Sequence, residues 1–217
     1  MGGRGASSGS SKGSASVKKS VEYYVSGEGM WINNYLRGRG DFGELTQQEK
    51  QLIHDLDVAT KSQIKDKYLY RNVDASAIFG DITNSDFENM SEILINGKEA
   101  MGKGAYADSI RDKTNKIINN AKGKTITEKG YMSTTTDPQI AEGWGDFTGA
   151  EKPIVLKIKT NKNTTGYDVG KRFDTKDSPQ QEKLLARGQK YSIDNVYGKN
   201  GSVYVDVILK NKKSEVR

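Results

Sequence analysis

The spacing of hydrophobic positions changes once along this chain, near residue 125. Before it the period is helical. Leu52, Ile53, Leu56 and Ala59 recur at three- and four-residue intervals behind Thr46 and Glu49, whose separation is that of a capping box. This predicts a helix. Met30 to Arg37, reading MWINNYLR, predicts a short helix stopped by Gly38, Arg39 and Gly40. Ser85 with Glu88 repeats the capping pattern ahead of Met90, Ile93 and Leu94, and Ile110, Ile117, Ile118 and Ala121 predict a further helix that stops at Gly123. Beyond Thr125 the pattern alternates. Ile154, Leu156 and Ile158 share one face with Lys157 and Lys159 on the other, and Val203, Val205, Val207 and Leu209 alternate with Tyr204, Asp206 and Ile208. Further strands are expected at 68–71, 126–134, 165–169, 182–186 and 190–196. Helices that precede a strand-built second half, without regular alternation, predict an α+β fold with antiparallel sheets rather than a doubly wound parallel sheet. No internal repeat is evident.

The first sixteen residues hold five glycines and six serines. Such a stretch cannot bury enough apolar area to offset its ordering entropy, so residues 1–20 are expected to be a flexible basic tail. A folded domain is expected over 21–212, followed by a basic end at 213–217. With 217 residues, 34% of them hydrophobic, the chain has room for one modest core and little prospect of a second full domain. No cysteine is present, which excludes disulfides, thiolate metal sites and a cysteine nucleophile. A single histidine, His54, excludes multi-histidine zinc sites, and no metal is expected. No apolar run approaches a membrane span, and the start lacks the apolar stretch of a secretory signal. The expectation is a soluble monomer, away from membranes, whose localisation is left open between a secreted or injected effector and a phage-carried protein.

The net charge of +6 suggests a polyanion partner until it is divided along the chain. Arg4, Lys12, Lys18 and Lys19 give +4 to residues 1–20, and residues 210–217 carry +3, which leaves −1 for residues 21–209. The charge therefore argues for basic ends on a nearly neutral domain, and only weakly for a nucleic-acid binder.

Three short segments carry candidate chemistry: Arg71 ending a strand pattern, the hydroxyl cluster Ser133, Thr134 and Thr135 ending another, and Gln180, Gln181 and Glu182 opening a third. Taken singly, each is more often structural: a surface arginine, threonines that suit strands, a polar turn after Pro179. Together and in this order they resemble the toxin-type mono-ADP-ribosyltransferases, and most closely the Rho-inactivating clostridial exoenzyme group. Gln180, Glu182, Leu184, Leu185, Arg187, Tyr191 and Ile193 match that group's long Q-x-E-x-L-L-x-R-x-x-x-Y-x-I signature. GYMSTT at 130–135 is similar to its GYISTS strand, with Thr135 in place of the second serine. EKPIVLKIK is similar to its G-R-P-I strand start, with Lys152 where those relatives carry arginine. Tyr24, Ser26, Ile32, Asn33, Leu36 and Arg37 resemble its Y-[ST] and I-N-x-x-L-R helix. The resemblance covers most of residues 21–210.

What the resemblance implies is an NAD-dependent protein ADP-ribosyltransferase: N-terminal helices packed on two mostly antiparallel sheets that form one NAD cleft. Glu182, Gln180 and Ser133 are the expected catalytic residues. Arg71, Arg37, Ser133, Thr134, Asn33 and Lys152 are expected to bind NAD. Breaking the nicotinamide–ribose bond creates positive charge on the sugar, so a carboxylate beneath it stabilises what develops in the transition state. Arginine suits the pyrophosphate because its planar fork donates two charge-assisted hydrogen bonds; Arg71 is the first candidate and Arg37 the second. No GxGxxG follows a strand, so the Rossmann mode of binding NAD is not expected. In this family the residue two before the glutamate chooses the acceptor, and Gln180 resembles the enzymes that modify an amide side chain, which implies Asn or Gln of a target protein, with a small GTPase as one possibility. Asp177 stands where those relatives place an aromatic residue, so the loop at roughly 170–181, with Lys171, Arg172, Asp174 and Lys176, is rebuilt and charged.

His54, without a positioned partner visible in sequence, is expected to be structural, as are Lys103 and Arg111. Trp31 and Trp144 are more often core or surface residues than cofactor platforms, although Trp144 follows the hydroxyl strand where the family closes over nicotinamide. Two competing readings are a module that binds NAD without turnover, or is carried on a phage head, and a nucleic-acid binder acting through its basic ends.

Overall fold

The computed structural model describes residues 9–144, 150–173 and 180–210. Its first helix, α1 (Gly9–Val25), starts inside the stretch expected to be a tail. The expected division between residues 20 and 21 therefore falls within an element. Val17, Val21 and Tyr24 pack with residues of α3 (Gln47–Ala59), while Ser16 and Ser20 each donate a hydroxyl to Asp55 Oδ2, at 2.6 and 3.0 Å. The glycine–serine composition hid this spacing, because the helix is held by tertiary packing rather than by propensity.

Between them lies α2 (Met30–Arg37), which ends as expected at Gly38, whose φ of 70° is left-handed and suits a residue without Cβ. At α3 the predicted capping box is present: Thr46 Oγ1 accepts from Glu49 N at 3.3 Å, and Glu49 Oε2 accepts from Thr46 N at 2.7 Å. After β1 (Ser62–Gln63) and β2 (Tyr68–Asp74) come the short α4 (Ser76–Phe79), then α5 (Asn84–Asn96) and α6 (Ala105–Ala121). The cap of α5 is Thr83, which accepts from Asp86 N, so the cap lies two residues before the expected Ser85, and the Asp86 carboxylate pairs with Lys113 rather than closing a capping box.

The expected strand 126–134 divides around Gly130 into β3 (Thr125–Glu128) and β4 (Met132–Thr135). There follow α7 (Pro138–Gly143), β5 (Pro153–Lys159), β6 (Thr165–Asp168), the four-residue α8 (Gly170–Phe173), β7 (Glu182–Leu185), β8 (Gln189–Lys199) and β9 (Ser202–Leu209). The α+β class is as expected. The two-sheet arrangement is not: all nine strands form one hydrogen-bonded sheet, in the order β1-β6-β7-β4-β2-β5-β9-β8-β3, with β5 and β9 parallel and every other pair antiparallel. The union is narrow. β2 pairs with β5 along its whole length but with β4 only at Tyr70 opposite Thr135, so one bridge joins two half-sheets.

Each half-sheet has its own core. Leu69, Ile154, Leu156, Ile158, Val205 and Val207 pack with Ile78 and Met90 from α4 and α5. Tyr131 and Leu184, on the other half, pack with Val21, Ile32, Ile53 and Leu56 from α1, α2 and α3. No helix among the described residues is long and apolar enough to cross a membrane.

Candidate active site

Where the half-sheets part, a cleft of about 730 Å3 opens between the end of α1, α2 and the strands β2, β4 and β7. Strand alternation decides what faces it. Ser133 pairs with Leu184 and Thr135 with Glu182, so Tyr131, Ser133 and Glu182 look toward the N-terminal helices while Met132 and Leu185 enter the other core. Ser133, Gln180 and Glu182 line the cleft with Arg71, Asn33 and Arg37, and Tyr24, Met30 and Trp144 complete it. Six of the eight expected residues are therefore brought together. Thr134 and Lys152 are not. Thr134 is fully buried and donates to Lys183 O at 2.7 Å, spending its hydroxyl on strand pairing. Lys152 sits just before β5, beside Asp74, three residues along β2 from Arg71, which is about 10 Å of extended chain.

Helix α2 clamps the hydroxyl strand. Arg37 and Asn33, one turn apart, hold the segment leading into β4. Arg37 donates to both oxygens of Glu128, at 2.9 and 3.0 Å, and Glu128 Oε1 also accepts from Gly130 N at 2.8 Å. Asn33 accepts from Tyr131 N at 2.8 Å and donates to Tyr131 O at 3.1 Å and to the Tyr24 hydroxyl at 2.6 Å. A Cβ at Gly130 would lie 2.4 Å from Asn33 Oδ1, so only glycine admits this approach. Glu128 was missed in the sequence; its place five residues before Ser133 was the available signal. Below the clamp, Tyr131 donates to Asp57 Oδ1 at 2.7 Å, and Arg187 grips both Asp57 oxygens at 2.8 and 2.7 Å. Arg187, part of the long signature, thus fixes α3 to the turn that follows β7.

The turn that presents Gln180 and Glu182 is held by hydroxyls of β4 and the residue after it. Thr135 donates to Gln180 O at 2.8 Å and Thr136 donates to Gln181 Oε1 at 2.5 Å. Gln181 has φ of 49°, a left-handed conformation that strains a residue with a Cβ and is over-determined by these contacts. Glu182 is 7% exposed. Burial raises the Tyr24 pKa, the charge of Glu182 adds to that, and Arg71, Asn33 and Arg37 oppose it, which places this ring among the charges of the cleft. Burial likewise pushes the Tyr191 hydroxyl up to about 12. Arg71 donates to Ser133 O across a long 3.4 Å, and among the described residues no carboxylate lies within ion-pair distance of it, whereas Arg37 is already paired. His54 lies on the exposed side of α3, 3.5 Å from Asp55, outside the cleft. No group of histidine and carboxylate side chains among the described residues could hold a metal. Residues 145–149, and Asp174, Lys176 and Asp177 of the charged loop, fall outside the described residues.

Arginines beside a buried glutamate, a serine strand and a Q-x-E turn thus surround one cleft, the arrangement that the resemblance to the ADP-ribosyltransferases led one to expect. Comparison with known proteins gives the family. A sequence model described as ADP-ribosyltransferase exoenzyme matches residues 5–214, and the chain belongs to that family, whose members use NAD as substrate. It is 27% identical over 170 residues to the epidermal cell differentiation inhibitor of Staphylococcus aureus, matching 76% of this chain but spanning only 62% of that relative. Among solved structures it is similar to C3stau2 of Staphylococcus aureus, crystallised with NAD, at 25% identity and a TM-score of 0.64, covering 91% of this chain and 88% of the other. The Plx2a toxin of Paenibacillus larvae shares the fold at a TM-score of 0.62 and 23% identity, covering 93% and 90%.

Proposed function

We propose that the chain transfers ADP-ribose from NAD to an asparagine or glutamine side chain of a target protein and releases nicotinamide. The observation that carries this reading is the convergence of Arg71, Ser133, Gln180 and Glu182 on one cleft with room for a dinucleotide. In the reaction the bond from ribose C1′ to the nicotinamide nitrogen breaks, its electron pair leaves with nicotinamide, and the acceptor nitrogen bonds to C1′ and then loses a proton. Glu182, buried at the start of β7, supplies negative charge where the sugar turns cationic. Gln180, neutral and able both to donate and to accept, orients an amide toward C1′. Arg71 holds the pyrophosphate, with Arg37 as second donor once its pairing to Glu128 is exchanged. Asn33 acts at one remove, through β4 and Tyr24.

The resemblance to Rho-inactivating exoenzymes makes a small GTPase the first acceptor to test, and the charged residues of the 170–181 loop make other proteins worth including. Labelled NAD incubated with purified GTPases and with lysate, followed by mass spectrometric mapping of the modified side chain, tests the proposal. Label on an amide, lost in Glu182→Ala, is the expected result. Absence of both transfer and NAD hydrolysis defeats the enzyme reading, and label on arginine defeats the role given to Gln180.

A further inference from the structure

Residues 21–209 carry a net charge of −1, yet their charges are not mixed evenly. Strand pairing, parallel between β5 and β9 and antiparallel elsewhere, brings the start of β2, the end of β5, the end of β9, the start of β8 and the end of β3 to one edge of the half-sheet β2-β5-β9-β8-β3: Tyr68 opposes Lys159, Lys159 opposes Ile208, Tyr191 opposes Leu209, and Glu128 opposes Gln189. Each of these strand ends is flanked by an exposed lysine, namely Lys67, Lys159, Lys210, Lys190 and Lys129. The turn after β5 adds Lys162, whose carbonyl accepts from Gln63. Backbone bonds bind the row together, from Thr160 N to Lys67 O at 3.2 Å and from Lys210 N to Lys190 O at 2.8 Å. Among the described residues no carboxylate lies within ion-pair distance of any of these six ammonium groups. Asp66, Asp206 and Glu128 are the acids of these strand ends; Asp206 is already engaged by Lys157 and Tyr197, and Glu128 by Arg37.

We propose that this lysine edge is a docking surface for an anionic lipid bilayer. Like charges gathered along a folded edge repel one another, and an outside anion relieves that repulsion. The chemistry favours a lipid surface over a nucleic acid. The row holds lysines, which are hydrated point charges on flexible stems; the neighbouring arginine, Arg187, is already gripped by Asp57 on both oxygens. Strand ends and turns present the charge, with no helix to enter a groove and no row of aromatic rings on which bases could stack. The ammonium groups of Lys67 and Lys157 lie 5.4 and 4.8 Å from the centre of the Tyr68 ring, an arrangement suited to the headgroup layer, where rings with one wet end accumulate.

Sedimentation of the full chain with vesicles of phosphatidylcholine, alone or mixed with phosphatidylserine, tests the proposal. Binding is expected only to the mixed vesicles, and it should fall as salt shortens the screening length from about 10 Å at 0.1 M to about 3 Å at 1 M. Each lysine near an anionic surface is worth about fivefold in affinity, so the Lys67→Gln/Lys159→Gln/Lys190→Gln variant should bind roughly 100-fold more weakly. Its thermal unfolding and NAD hydrolysis, which do not involve these residues, show that the variant is folded. A second variant, Lys12→Gln/Lys18→Gln/Lys19→Gln, separates the edge from the N-terminal charges. The proposal is overturned if wild type fails to sediment with the mixed vesicles, or sediments equally with both kinds. It is also overturned if only the N-terminal variant loses binding, or if duplex DNA or RNA at the same salt displaces the protein from vesicles.

Discussion

The half-sheet β2-β5-β9-β8-β3 and the half-sheet β1-β6-β7-β4 are built of the same kind of strand but held by different means. In the first, long strands bury continuous apolar rows, Ile154, Leu156 and Ile158 against Val205 and Val207, under α4 and α5. In the second, strands of only two to four residues bury Thr134, Thr135 and Glu182 beside the cleft, too few apolar positions for a continuous row, whereas the buried polar residues of the first, Asn72, Gln189 and Ser192, sit within long strands. Cross-links made by Asn33, Arg37 with Glu128, and Tyr131 with Asp57 and Arg187 take over part of the work of packing. The difference follows from the site. Strands that present Ser133 and Glu182 to an open cleft cannot also bury an apolar row at those positions, so their place has to be fixed by directional bonds.

Substitution on the two sides should therefore break different properties. Glu182→Gln keeps the shape of the side chain and removes its charge. Transfer and NAD hydrolysis are expected to fall ~100- to 1000-fold with the melting temperature little changed, read by labelled-NAD turnover alongside thermal unfolding. If turnover survives at a tenth of wild type, the carboxylate is not what stabilises the sugar cation. Leu156→Ala, in the other half, opens a cavity beneath α4 and α5 and is expected to cost about 3 kcal/mol in denaturant unfolding, with kcat per folded molecule unchanged. A fall in kcat as large as that of Glu182→Gln would mean that the halves are not separable.

The same difference explains what the sequence disclosed. Periodicity read the apolar half well, because Ile154, Leu156 and Ile158 and the Val203–Leu209 row alternate over enough residues to be seen. In the site half the strands are too short for a clear period: 126–134, 165–169 and 182–186 were expected only as candidate segments, the two-residue β1 was not expected at all, and the resemblance carried by GYMSTT and the Q-x-E signature supplied the chemistry rather than the strands. Single-residue roles were less legible. Thr134 and Lys152 matched family positions, yet Thr134 donates to a neighbouring strand and Lys152 sits beyond the cleft wall. Glu128 escaped notice because a carboxylate at a strand end is ordinary until Arg37, 91 residues away, is seen to fold onto it. The helix α1 was hidden by the serines and glycines around Val17 and Val21. The single-bridge union at Tyr70 and Thr135 leaves no trace in spacing at all.

Glu128→Gln sharpens the comparison at smaller amplitude. The pair with Arg37 is mostly buried, its side chains 21% and 17% exposed, and the amide keeps one acceptor for Gly130 while losing the charge that fixes the guanidinium. Unfolding free energy is expected to drop by about 1.5 kcal/mol. Because Arg37 lines the cleft, KM for NAD should shift while kcat is nearly kept, and Glu128→Asp, with a shorter reach but the same charge, should restore part of the stability. Equal loss of kcat in both variants would instead place Glu128 in contact with the reacting atoms.

The weakest effect concerns acid. Burial works to raise the Asp57 pKa, but the hydrogen bonds from Arg187 and Tyr131 and the charge of Arg187 outweigh it, and the carboxyl ends below its ordinary value. A group depressed in the folded state contributes stability that is fully present above its unfolded pKa, about 3.9, and is lost as pH falls through the lower folded value. Arg187 and Asp57 have side chains 40% and 35% exposed, so solvent screens the pair and Arg187→Gln should cost only about 1 kcal/mol near neutrality. Below the depressed folded value the carboxyl is protonated in both proteins and the cation has nothing left to hold. Denaturant midpoints of wild type and variant should therefore lie apart from neutrality down to the unfolded carboxyl value of about 3.9 and draw together as the pH falls below it. A gap that stayed constant to pH 2 would mean that Arg187 stabilises α3 through the packing of its stem rather than through Asp57, and that this cross-link of the site half is apolar after all.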